Sequence, residues 1–258
     1  MRYKGFTWSL QSWLLSLFFI FSFCSNIEAF DFSGWDGLVK KYVAPKILEG
    51  VPVNAIDYAG LKKDPEFSDL VSRLDSYPLE SLNSRELKLT FWINVYNIFA
   101  AKMITDNYPI ESIKDAGSFF KPVWKRPAGR VGGKEYTLNI IEHEILRKMK
   151  EPRIHVAIVC ASISCPDLRL EAYTVEKLND QLDDQMEKFL SSQEKGMRLD
   201  ENKNRVYLSS IFKWFEEDFE GGVLKYIGRH VTPEQGLTLS KPKIKISYLD
   251  YNWKINGH

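Results

Sequence analysis

The chain has 258 residues, 44% hydrophobic and 27% charged, which is enough apolar material to close a sizeable core and excludes a disordered or fibrous polymer. Thirty-five basic against 34 acidic residues leave a formal net charge of +1, spread without long runs of one sign. That balance excludes an electrostatic footprint for nucleic acid or an anionic membrane.

Arg2 and Lys4 precede an almost wholly apolar run at residues 13–23. A basic start and an apolar core well short of the roughly 20 residues that span a bilayer make a signal-peptide pattern. The small Ala29 suits the last position before a cut. Residues 1–29 are therefore expected to be removed and residues 30–258 to form one exported α+β domain, periplasmic or extracellular, with no stable membrane span. Cys24 could suggest lipidation, but Phe23 is bulky where a lipobox needs a small residue. Losing Cys24 leaves Cys160 and Cys165 of the three cysteines, in a compartment where thiols tend to pair.

Residues 30–48 carry helical spacing at Leu38, Tyr42 and Val43, with Pro45 near the end and Gly50 as a breaker. A second helix is predicted over residues 58–78 through Leu61, Phe67, Leu70 and Leu74. Residues 85–107 are apolar on nearly every face, which predicts a helix in the middle of the core. Asn94 and Asn97 lie three apart on it. Buried amides must find partners, so this pair either ties the helix to nearby backbone or orients a catalytic imidazole or a ligand.

Gly129, Gly132 and Gly133 punctuate residues 121–136 and predict a β-hairpin. Residues 138–149 return to helical spacing after a possible Thr137 cap, carrying Glu142, His143 and Arg147. His143-Glu144 begins like the zinc-protease helix, but Arg147 stands where the second His is needed and would repel the metal. The plain alternative for Glu142 and His143 is an exposed, ion-paired helix face. Residues 154–159 are apolar and largely β-branched, the pattern of a strand covered on both faces, with His155 near its start and Cys160 at its end.

Cys160 and Cys165 admit three readings. A disulfide would close a six-residue loop. A reactive thiol would need a lowered pKa from a neighbour such as His143, His155, Arg153 or Arg169. Zinc would need a spacing that matches no standard finger, so no metal or cofactor is expected.

Farther on, Val175, Leu178, Leu182, Met186 and Phe189 predict a helix capped by Thr174, and residues 205–208 predict a short strand. A helix from Ser209 through Trp214 and Phe219 and a last strand at Ile244, Ile246 and Tyr248 follow. Trp214 and Trp253 are expected to be core anchors.

Phe91-Trp92-Ile93-Asn94-Val95-Tyr96-Asn97, then Ile141-Glu142-His143 with Leu146-Arg147, then Pro152-Arg153-Ile154-His155 leading to Cys160 and Cys165-Pro166, resemble the successive signature blocks of domain-of-unknown-function family 547. Tyr173, Trp214 with Asp218-Phe219, and Asp250-Tyr251-Asn252-Trp253 resemble its remaining blocks, so the likeness runs over about residues 82–256. The resemblance implies an exported bacterial protein. In plants the domain follows a coiled-coil segment, an association that suits a binding module as well as an enzyme.

Two functions follow as expectations, on a fold of helices packed on a small mixed β-sheet. One is a thiol-dependent hydrolase or acyl transferase, with Cys160 as nucleophile, His143 as base, Asn94 orienting it, His155 and Glu142 nearby, and Asn97, Arg153 and Arg169 contacting the ligand. By analogy its Cys, His and Asn suit papain-like or transglutaminase-like enzymes, although there the nucleophile precedes its His. The other is a binding or scaffold domain for a protein or peptide, with Cys160 and Cys165 as a structural disulfide.

Overall fold

The computed structural model describes Met1 and residues 29–118 and 120–258. The expected signal segment, apart from Met1 and Ala29, lies outside the described residues. Among the described residues no helix is long and apolar enough to cross a membrane.

Helix α1 (Ser33–Tyr42) stops earlier than its periodicity predicts. The chain turns into β1 (Val43–Leu48), which pairs antiparallel with β2 (Val51–Ile56). Pro45 cannot donate a helical hydrogen bond, and Glu49 and Gly50, both at positive φ, close the two-residue hairpin. The helix predicted over residues 58–78 is two helices, α2 (Tyr58–Lys63) and α3 (Pro65–Asp75). Asp64 separates them, because Pro65 lacks an N–H and the Asp64 carboxylate caps the Glu66 N–H instead.

Helix α4 (Arg85–Asn107) has the predicted bounds, with the Ser84 hydroxyl accepting from the Leu87 N–H at its start. Buried residues cover every side of it, including Ile93, Ile98, Phe99 and Ile104 at 0% exposure. It packs against α2, the β3 (Pro127–Val131) strand and the turn that follows β4 (Lys134–Thr137). Strands β3 and β4 form the predicted hairpin around Gly132 and Gly133, both at positive φ.

The helix predicted over residues 138–149 is helical but not an α-helix, and the strand predicted at residues 154–159 is absent. Ile140–Leu146 winds as a π-helix, in which the Arg147 N–H reaches the Glu142 carbonyl, and Arg147–Met149 tightens to a 3-10 turn. The strand predicted at residues 154–159 is instead a short helix, α5 (Ile154–Ala157), followed by an extended exit. Among the described residues no strand pairs with that exit. The Asn97 side chain takes the ladder's place, accepting from the Val159 N–H at 2.8 Å and donating to the Ala157 carbonyl at 3.0 Å.

Helix α6 (Leu178–Ser191) begins after the Thr174 cap predicted for it: its N-cap is Lys177, and no side chain caps it. Strands β5 (Met197–Asp200) and β6 (Arg205–Leu208) pair antiparallel, and β7 (Lys245–Tyr248) joins β6 in parallel. The helix predicted from Ser209 to Phe219 breaks into α7 (Ile211–Trp214) and a 3-10 turn at Glu216–Asp218. Helices α8 (Val223–Ile227) and α9 (Pro233–Leu239) complete the fold. The architecture is mixed α+β, but the single small sheet expected is three small sheets among the described residues.

A larger apolar cluster surrounds α4, and a second gathers α6 to α8 with β5 and β6. Residues 252–258 run as a strap along the side of the larger cluster. Their backbone bonds Ile56, Tyr58, Glu111, Ala161, Ile163 and Ser164, and the buried Asn256 side-chain amide oxygen accepts from the Tyr58 hydroxyl at 2.7 Å.

Candidate functional site

Elements from all along the chain converge on a cleft of about 350 Å³. The π-helical turn supplies Glu142 and His143, α5 supplies His155, and its exit supplies Cys160. Helix α7 brings Trp214, Phe215 follows it, and the strap region brings Tyr251 and Trp253. Single extra-wide helical turns recur at functional sites because they redirect side chains that an α-helix would stack.

Aromatic rings form much of the wall. Trp214 stacks on Trp253 at a centroid distance of 5.7 Å, and Tyr251 lies 4.8 Å from Trp214 and 4.5 Å from Trp253. Trp214 is 46% exposed and Trp253 half-buried, which corrects the expectation that both are core anchors. The Lys114 ammonium sits 3.7 Å over the Trp253 ring, the geometry of a cation–π contact.

Glu142 is half-buried, not displayed on an exposed ion-paired face. The Tyr96 hydroxyl donates to it at 3.2 Å. Burial nevertheless raises its carboxyl to about 7, against the opposing pull of Tyr96 and Arg147. His143 Nδ1 accepts from Arg147 at 3.0 Å, which leaves its proton on Nε2. Burial and that guanidinium both hold its pKa down.

His155 is 3% exposed, stacked on Phe215 at 4.0 Å, and hydrogen-bonded through Nε2 to Asp218 at 2.7 Å. Arg147 grips the same carboxylate at 2.6 and 2.9 Å and also pairs with Glu217. Burial outweighs Asp218 and lowers His155 to about 4. The neutral ring therefore keeps a bare Nδ1, which has no hydrogen-bond partner among the described residues.

Cys160 and Cys165 are joined as a disulfide, their Cα atoms 6.2 Å apart. The Ser162 hydroxyl lies 3.4 and 3.3 Å from the two sulfurs, and the Tyr251 hydroxyl 3.3 and 3.2 Å. Ala161 holds the left-handed conformation that starts this tight loop.

The structure thus brings Cys160, Glu142, His143 and His155 together and sends the other predicted site residues elsewhere. Asn94 is buried and tied at both ends of its amide to the Tyr173 backbone, at 2.9 and 3.0 Å. Asn97 holds Ala157 and Val159. Arg153 pairs with Glu151 and Asp183, and Arg169 with Glu171 and Asp184. Among the described residues no group of three or more His, Cys, Asp and Glu is arranged to hold a metal. Sequence reasoning gave Tyr96, Trp124, Phe215 and Tyr251 no functional role. The available signal was the pair of rings at Tyr251 and Trp253 in an otherwise irregular stretch.

No curated protein matches the chain, and no solved structure does. The family described as Protein of unknown function, DUF547, matches residues 79–190, a shorter reach than the expected 82–256 because it stops before Trp214, Asp218 and the strap. The matched stretch contains Glu142, His143, His155 and both cleft cysteines, so the chain carries a DUF547 domain over residues 79–190, and residues beyond it complete the cleft.

Proposed function

We propose that this is an exported binding domain whose partner, a peptide or a segment of a protein, places an apolar or aromatic side chain in the cleft. The exposed Trp214, stacked on Trp253 in the mouth of that cleft, carries this reading. Tryptophan and tyrosine concentrate binding energy at such sites because they offer large rigid area with few rotamers to freeze. The volume lies within the range of small-ligand pockets, near its lower end, and suits one or two side chains better than a large cofactor. Export, inferred from the first 29 residues, agrees with a disulfide in the cleft wall.

A thiol-dependent hydrolase is the second reading, favoured by the shared cleft of Cys160, His143 and Glu142. It requires the disulfide open and His143 released from Arg147, since Nδ1 is occupied and Nε2 carries the proton.

The test is selection of binders to the full chain from a random peptide library, followed by titration of the selected peptides against tryptophan fluorescence. Trp214→Ala is expected to weaken them at least tenfold, about 1.4 kcal/mol. Equal binding by the variant would remove the cleft as the site. Rapid iodoacetamide labelling of Cys160 in the unreduced protein would instead favour the hydrolase.

A further inference from the structure

The two sulfurs of the cleft disulfide are not equivalent. Both cysteines line the cleft, but Cys160 is half-buried whereas Cys165 is 2% exposed. Three donors reach the buried sulfur: the Cys160 N–H at 3.0 Å, which bonds Cys165 alone, and the Tyr251 and Ser162 hydroxyls at 3.2 and 3.3 Å, which also lie 3.3 and 3.4 Å from Cys160 Sγ. Burial keeps the Tyr251 phenol protonated, so it remains a donor. A sulfur held this way is poorly reachable by a nucleophile but well placed to accept negative charge.

We propose that Cys160–Cys165 is a thiol–disulfide exchange centre, attacked at Cys160 by a thiolate entering through the aromatic cleft and releasing Cys165 as the leaving group. A peptide dithiol first loses one proton to water. Its thiolate bonds to Cys160 Sγ, the Cys160–Cys165 bond breaks, and the electron pair leaves on Cys165 Sγ, where the three donors meet it. The second thiol of the peptide, also deprotonated to water, then attacks the peptide sulfur of the mixed disulfide and expels Cys160. The peptide is oxidised to a disulfide by two electrons, and the protein disulfide is reduced to two thiols that take up the two protons. Exchange is faster when the leaving thiol is the more acidic, and the donors around Cys165 act in that direction. The step needs only a thiol that can reach Cys160, so it goes beyond peptide binding and does not depend on it.

The experiment uses the full unreduced chain with dithiothreitol as the dithiol. Samples are quenched with iodoacetamide and weighed by mass spectrometry, beside an oxidised synthetic peptide of residues 158–167. The native protein is expected to be reduced at least tenfold faster than the peptide, with a rate indifferent to low urea. Tyr251→Phe and Ser162→Ala are each expected to slow it on the order of fivefold, the worth of one neutral hydrogen bond. With glutathione disulfide, Cys165→Ala should form an adduct at Cys160, while Cys160→Ala should leave buried Cys165 unmodified. Reduction no faster than the peptide, or only as fast as urea unfolds the protein, overturns the proposal. So does preferential adduct formation at Cys165. Neither result touches the Trp214 binding test.

Discussion

Glu142 and His155 share one cleft and are both driven toward neutrality by burial, yet their effects on stability run in opposite directions. Between about 4.5 and 7 the fold keeps a proton on Glu142 that the unfolded chain releases, so this group's contribution falls as pH rises through that window. His155 refuses, down to about 4, a proton that the unfolded chain accepts below 6.5, so its contribution falls as pH falls. The two slopes oppose each other where the windows overlap. Glu142→Gln should therefore gain thermal stability relative to the native protein as pH is raised from about 5 to about 8, on the order of 2 kcal/mol in all. A constant offset at every pH would show that Glu142 does not titrate in that range. Asn94 belongs to the same scale. Asn94→Ala would strand the buried N–H and C=O of Tyr173 and should cost about 2–4 kcal/mol in urea unfolding. A loss within experimental error would mean that water replaces the amide.

Helix α4 is where elements meet, and its contact with β3 is unusually close. A Cβ on Gly129 would stand 2.4 Å from the ring of Phe99, which is fully buried and cannot swing away. Gly129→Ala should destabilise by about 1–3 kcal/mol through overpacking, read from the urea midpoint at unchanged slope. An unchanged midpoint would mean that the hairpin can shift off the helix. The same helix explains why Ile154–Ala157 is not a strand. Asn97 satisfies the backbone where a neighbouring strand would have done so, and this frees α5 to turn His155 toward Asp218. The predicted helix and strand in this region carry the right apolar residues, but periodicity does not report which groups supply the hydrogen bonds.

At the scale of the molecule, the cleft depends on parts distant in sequence. The strap residues 252–258 hold the cysteine loop through Ala161, Ile163 and Ser164 and carry Trp253 into the wall, with Tyr251 just ahead of them. Because the disulfide closes only six residues, it contributes modestly to this arrangement. The double variant Cys160→Ser with Cys165→Ser should lose about 2 kcal/mol, the chain-entropy worth of so short a loop, and retain a cooperative transition. Loss of folding would instead make the bond indispensable to the fold.

The sequence by itself determined the central helix with its bounds, the Gly132-Gly133 hairpin, the mixed α+β class and the disulfide as one of the readings of Cys160 and Cys165. The helix, the hairpin and the disulfide each rest on information contained in one short stretch: apolar residues on nearly every face, clustered glycines, or two nearby cysteines. Only the tertiary structure decided that Trp214 and Trp253 face a cleft, that Asn94 is a backbone tie, and that His155 meets Asp218 across 63 positions. Burial, backbone satisfaction and pKa depend on which distant groups arrive as neighbours, and a local pattern of residue types does not specify them.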